Sequence, residues 1–321
     1  MRASRMMWAV AMLIMSLVAR PAVSSAEIEW KRTAPLSGRI LQSLAIDGTG
    51  SIYGATFDGG VSRSDDNGQT WTSLNSNPEN LNIFDVLATR QGSVLCATFG
   101  GGILRSHDWG TSWEAVNEGL TNNEVLALAE TPDGIIVAGT AYAGIFISRD
   151  GGGSWTHAGL QGTFAKDITI GADGTIFVGC SDGGVFRSLD TGSSWARVNI
   201  GLTSTDVWSV ACDPEGIVYV ATNGGGIFRS ADNGNTWESV NTGIPTQNIG
   251  ALVVLGSGSV LAGTTEGVFQ TLNGGESWTR ACSGLPQCSV RTFALGSDGT
   301  IYMGTAGEGV FRTTKPALSM K

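Results

Sequence analysis

The stretch Ser64-Asp65-Asp66-Asn67-Gly68-Gln69-Thr70-Trp71 is written five more times along the chain with small changes. The copies are SHDWGTSW ending at Trp113, SRDGGGSW at Trp155, SLDTGSSW at Trp195, SADNGNTW at Trp237 and TLNGGESW at Trp278. The tryptophans are spaced by 42, 42, 40, 42 and 41 residues. Each turn follows a short run of glycine and aliphatic residues that ends in Ser or Thr. A period of about 40 residues in a Gly-rich, β-branched sequence predicts a β-propeller with one four-stranded blade per repeat.

One repeat shows how a blade is written. Val125-Leu126-Ala127-Leu128-Ala129 reads as an inner strand, A, and the turn Thr131-Pro132-Asp133-Gly134 follows. Ile135–Thr140 reads as strand B and Ile145–Ser148 as strand C, with an outer strand D from Trp155. Short runs punctuated by Gly and Asp suit an antiparallel meander. Gly309-Val310-Phe311-Arg312-Thr313 is a seventh strand C, but no Asp turn or tryptophan follows it. Trp30 stands 41 residues before Trp71, in phase and with no strand C ahead of it. The two defects complete each other if Glu29–Thr33 supplies the outer strand of the last blade. The expectation is an all-β, single seven-bladed propeller, closed by its N-terminal strand and left with no open edge.

The ends and the charge bound the rest. Arg2 and Arg5 precede an apolar run from Met6 to Ala19, and Ser24-Ser25-Ala26 offers a small-residue cleavage site. Residues 1–26 therefore read as a secretory signal peptide, 27–314 as the propeller and 315–321 as a tail. Export to the periplasm or the outside follows, with no stable membrane insertion after cleavage near Ala26. The whole chain carries a formal charge of −9, and loss of Arg2, Arg5 and Arg20 leaves 16 basic against 28 acidic residues. Such a balance argues against nucleic acid as a partner. A closed ring satisfies its own edges, so a monomer is expected. Cys282 and Cys288 flank Ser-Gly-Leu-Pro-Gln in one loop, and a local disulfide is expected there for an exported protein.

The residues at the ends of the repeated turn, Asp66, Asp108, Asp150, Asp190, Asp232 and Asn273 with Trp71, Trp113, Trp155, Trp195, Trp237 and Trp278, read as architecture. The carboxylate suits backbone N–H groups within the turn, and the indole suits packing between blades. A calcium loop would need a further acidic ligand at fixed distance, so no metal and no cofactor are expected.

These turns, Ser-x-Asp-x-Gly-x-Thr/Ser-Trp, resemble the Asp-box, or bacterial neuraminidase repeat, of the sialidase-like propellers, over the whole chain after the leader. In style the single ring is most similar to propellers of the photosystem II assembly factor type and to uncharacterised exported propellers. The resemblance implies the fold; its activities range from sialidases and xyloglucan hydrolases to assembly factors and sortilin-type receptors. A sialidase would use three arginines around a carboxylate, one of them in an Arg-Ile-Pro. Here Arg39-Ile40 is followed by Leu41, and only Arg39 and Arg291 fall on the binding side. Tyr53, Tyr219 and Tyr302 share one strand-B position and read as packing rather than as a nucleophile. No catalytic residue is assigned.

Function is therefore sought where the repeats differ. At one aligned level of strand A the blades carry Gln42, Asp85, Leu126, Lys166, Trp208, Gly250 and Arg291. The loops between strands B and C add Phe57, Phe99 and Tyr142 on three adjacent blades. Aromatic and charged groups at one end of a ring suit a ligand or partner surface. The expected function is a non-catalytic module binding a protein partner, with binding or hydrolysis of an extracellular glycan as the alternative. Asp58, Asp182, Glu266, Glu308, Asp85, Asp167 and Asp206 are the carboxylates placed on that side.

Overall fold

The computed structural model describes residues 28–36, 40–74 and 82–316. The expected leader, Arg39 and the end of the tail lie outside them. The described residues form seven four-stranded antiparallel sheets and no helix. Blade 1 runs from Leu41–Ile46 through Ile52–Thr56 and Gly60–Ser64 to Thr72–Ser73, and the next five blades repeat this order. The innermost strands of neighbouring blades touch around the whole ring, including Leu41–Ile46 of blade 1 against Val290–Leu295 of blade 7.

The seventh blade is completed as the sequence predicts. Trp30–Arg32 pairs antiparallel with Val310–Thr313, with Trp30 opposite Thr313 and Arg32 opposite Phe311. Between blades the core is apolar. Phe146, Ile136 and Trp155 of blade 3 pack with Leu95, Ile103 and Val116 of blade 2, and equivalent clusters fill the other seams.

The repeated turn does two jobs. Asp66 Oδ1 accepts from the Thr70 amide at 2.8 Å and from Ser64 Oγ at 2.8 Å, while Oδ2 accepts from Thr70 Oγ1 at 2.6 Å. Those hydrogen bonds, led by Thr70, hold the Asp66 carboxyl down to about 2. The same bonds recur at Asp108, Asp150, Asp190 and Asp232. Each turn delivers its tryptophan to the preceding blade. The indole Nε1–H of Trp113 donates to the carbonyl of Leu74, that of Trp155 to Val116, Trp195 to Ala158, Trp237 to Val198 and Trp278 to Val240. Each acceptor stands three residues after the previous tryptophan. Trp30 obeys the same rule, donating at 2.9 Å to the carbonyl of Ala281.

Only one seam departs from it. The Nε1 of Trp71 is buried without a hydrogen-bond partner. Its acceptor under the rule would be Thr33, where the chain leaves blade 7 instead. There the Ala34 amide donates to the carbonyl of Gly68 at 2.7 Å, and Tyr302 Oη lies 3.2 Å from Asn67 Oδ1. The joint between blades 7 and 1 is thus held by substitutes for the tryptophan link.

The expected disulfide is not formed: Cys282 and Cys288 are both free thiols. In blades 2, 4 and 5 an asparagine (Asn117, Asn199, Asn241) accepts through Oδ1 from the first amide after the strand-C glycine. Cys282 holds that position in blade 6. Its Sγ lies 3.2 Å from both the amide and the carbonyl of Val268. Cys288 is buried in the seam between blades 6 and 7, and burial pushes its thiol up to about 11. The cysteine is placed by the repeat, not by a cross-link.

If Trp30 closes the ring as the other tryptophans link their blades, Trp30→Ala should cost about 3–5 kcal/mol, the usual range for truncating a buried tryptophan. Trp71→Ala, which breaks no indole hydrogen bond, should cost less. Urea unfolding midpoints of the two variants check this, and equal losses would contradict it.

Candidate functional site

Every strand A carries a β-bulge at the same place, one residue after it begins. Leu41 pairs with Thr56 and Ser43 with Ala55, so Gln42 is the extra residue. The other six blades repeat this offset. A bulge re-aims the side chain it inserts. Here seven bulges at one level surround the axis, and their residues are Gln42, Phe84, Leu126, Lys166, Trp208, Gly250 and Arg291. Together with Phe164 they line a mouth of about 280 Å³, which opens into a wider axial channel of about 420 Å³.

The register corrects the alignment at one blade. Ile83 pairs with Thr98 as Leu41 pairs with Thr56, so Phe84 and not Asp85 matches Gln42. A slip of one residue changes the face a side chain takes. Asp85 lies one position deeper, in a ring with Ser43, Ala127, Asp167, Ser209, Ala251 and Thr292. Phe84 was legible as the residue directly after Ile83, as Trp208 is after Val207. Phe164 precedes the bulge and has no repeat signal.

The deeper ring stitches blades together. Asp85 Oδ2 accepts at 2.7 Å from the Leu128 amide of blade 3, and Asp167 Oδ2 at 2.7 Å from the Val210 amide of blade 5. Ser209 Oγ accepts from the Leu252 amide of blade 6 at 3.2 Å. Asp85 Oδ1 is also held, by Ser43 Oγ at 2.6 Å and the Val86 amide at 2.8 Å. Burial pushes the Asp85 carboxyl up to about 7; the bond from Ser43 opposes this and the charge of Asp167 adds to it. Asp167 is raised by the same cause. Both carboxylates have work within the wall, unlike the groups at the mouth above them.

At the mouth, Lys166 Nζ stands 3.9 Å from the centre of the Trp208 ring. Trp208 Nε1 donates to Asp206 Oδ1 at 3.0 Å, and Asp206 Oδ2 accepts from Asn223 at 2.9 Å. Burial lowers the pKa of Lys166; Asp206 opposes the shift and Arg291 reinforces it. Arg291 is half-buried, and its Nε has no hydrogen-bond partner. Aromatic rings continue outward from the mouth. Phe57 meets Phe84 edge-on at 6.3 Å between centroids, Phe99 lies tilted against Phe84 at 5.5 Å, and Tyr142 meets Phe164 edge-on at 5.4 Å. Phe57 and Phe99 are each 38% exposed and Tyr142 is 60% exposed.

Other sequence candidates are placed elsewhere. Tyr53, Tyr219 and Tyr302 are buried. The repeated strand-C arginines sit beside the Asp turns, on the opposite face: Arg105 pairs with Glu114 at 2.8 Å and reaches the carbonyl of Gly151 in the next blade. Glu308 pairs with Arg32 at 3.1 Å. A recess of about 720 Å³ on the outer wall between blades 3 and 4 is larger than the mouth, but it is lined by repeat residues such as Asp150, Gly192 and Trp195.

Residues 163–300 match the family described as the DUF6242 beta propeller domain. No curated protein matches the chain. Among solved structures it is similar to YCF48 bound to D1 peptide, at 14% identity and a TM-score of 0.74, over 91% of this chain and 98% of that one. YCF48 from Cyanidioschyzon merolae gives 14% and 0.71, over 90% and 99%. The GH74 xyloglucanase from Xanthomonas campestris gives 18% and 0.70, over 91% of this chain but 54% of the enzyme. An extracellular domain assigned to a hybrid two component system of B. thetaiotaomicron gives 16% and 0.72, over 92% of this chain and 43% of that one. At these identities the likeness is one of fold. No helix of the described residues is long and apolar enough to cross a membrane.

The raised Asp85 carboxyl makes stability depend on pH with a definite sign. An unfolded aspartate titrates near ~3.9 and the folded one near about 7, so the folded state binds the extra proton between them. Stability should therefore fall as pH rises from about 4 to about 7. Asp85→Ser, which copies Ser209, should flatten the decline; Asp167 keeps part of it. Melting temperatures at pH 5 and pH 8 check this, and an unchanged difference in the variant would contradict it.

Proposed function

We propose that this chain is an exported, non-catalytic seven-bladed propeller that holds a protein partner at its axial mouth, as a module in assembling a larger complex. The observation that carries this reading is the set of seven bulges. They present residues that break the repeat at one level, where a single ligand touches several blades at once. Trp and Arg, the residue types that most often dominate binding energy, stand there together with Lys166 and the rings of Phe84 and Phe164. Export rests on the leader read in residues 1–26, and the similarity to extracellular domains supports it. Similarity to YCF48 bound to D1 peptide supports a peptide-holding role.

The second reading, a carbohydrate-active propeller, is favoured by the two raised carboxylates of the channel wall and by the similarity to a xyloglucanase. Against it, Asp85 already accepts three hydrogen bonds from the wall, which leaves it badly placed to protonate a glycosidic oxygen. A reducing-end assay over a polysaccharide array separates the two readings.

Pull-down from the native envelope tests the first. Trp208→Ala and Arg291→Ala should abolish capture while melting temperature stays near that of the parent. Arg105→Ala, on the opposite face, should retain capture. Retention by the first two with loss by the third would move the site to the Asp-turn face.

A further inference from the structure

We infer that the mouth selects a carboxylate-bearing protein segment, its acidic group held between Lys166 and Arg291 and its chain laid across the neighbouring aromatic rings. This rests on the reading that the axial mouth is the binding site.

The charges point to this occupant. The protein as a whole is acidic, with 28 Asp and Glu against 19 Lys and Arg. Yet of the seven bulge residues two are cations and none is an acid. Screening confines charge effects to about 8–10 Å at physiological ionic strength, so the groups near the mouth decide what it accepts. One acid, Asp206, stands close to Lys166, and both its oxygens are taken, by Trp208 and Asn223. Asp85 and Asp167 lie deeper and accept hydrogen bonds from the wall. Asp58 and Asp182, on loops between strands B and C, do not line the mouth.

Neither cation has a carboxylate partner among the described ion pairs, whereas Arg63, Arg105 and Arg229 each do. Lys166 is propped on the face of Trp208, which fixes its ammonium without neutralising it. Arg291 keeps a buried Nε with no acceptor, as Arg63 and Arg229 do, but unlike them it has no carboxylate on its other nitrogens among the described residues. An unmade bond at a charged donor is costly, and an incoming carboxylate supplies the missing acceptor in a geometry that suits guanidinium. The scarcity of polar groups selects against a sugar. Phe57 meets Phe84 edge-on and Phe99 lies tilted against Phe84, an apolar platform beside the cations. Among the described residues, Gln42 and the indole N–H of Trp208 are the polar groups of the mouth beside the two cations, too few partners for the hydroxyls a glycan would bury.

Isothermal titration with defined probes tests the inference. The probes are a capped octapeptide of alternating Glu and Phe, its Gln–Phe counterpart, the Glu–Phe peptide with a free C-terminus, and oligogalacturonate. The acidic peptide should bind about tenfold or more tightly than the Gln–Phe peptide, and Lys166→Met or Arg291→Met should each weaken it by about tenfold or more. The same variants should keep the parent's melting temperature, which separates charge recognition from unfolding. Tighter binding of the free C-terminus would assign the carboxylate to a chain end, and equal binding to side chains; both agree with the inference. Equal affinity for the Glu and Gln peptides would overturn it, as would tighter binding of oligogalacturonate. If no acidic peptide binds while envelope capture still depends on Trp208, this inference falls and the mouth stands. If capture is indifferent to Trp208, the reading of the mouth itself falls.

Discussion

The hydrogen bond from a tryptophan indole to a carbonyl three residues past the previous tryptophan is the contact on which the ring depends. It occurs at six of the seven seams and ties the outer strand of one blade to the turn of the next. The Asp turn exists to aim that indole. Its carboxylate gathers an amide and two hydroxyls, which fixes the loop. Backbone packing depends on the same seam. A Cβ at Gly201, whose φ is +101°, would run into the carbonyl of Trp237 in the next blade, so this position needs glycine for both space and conformation.

With the outer frame fixed at one face, the opposite face is free to vary. The bulge in every strand A is a backbone feature independent of the residue it inserts, which is why Gly250 and Trp208 occupy equivalent places. One layer below, Ser43, Asp85, Asp167 and Ser209 join blade 1 to 2, 2 to 3, 4 to 5 and 5 to 6. The mouth therefore sits on a rigid support, which lowers the ordering cost of binding there.

The architecture was legible because it is repeated. Trp30 and Thr313 were each incomplete alone, and their phase difference predicted their pairing. The site was legible only in outline. Gln42, Lys166, Trp208 and Arg291 line the mouth as expected, but Asp85 was one residue out, because a bulge breaks the two-residue alternation on which strand alignment relies. Phe84 was hidden by that slip, and Phe164 lies before the strand, where the loops differ in length. Cys282 misled for a related reason: compartment suggested a cross-link, whereas its place in the blade is that of an asparagine clamp, a role visible only through Asn117, Asn199 and Asn241.

The division between a fixed face and a reading face is the central claim, and amide hydrogen exchange with and without the captured partner tests it most directly. The account predicts added protection in the segments around Phe84, Phe164 and Trp208 and in the loops carrying Phe57, Phe99 and Tyr142, with the six Asp turns unchanged. Protection centred on the Asp turns, with the mouth unaffected, would contradict it.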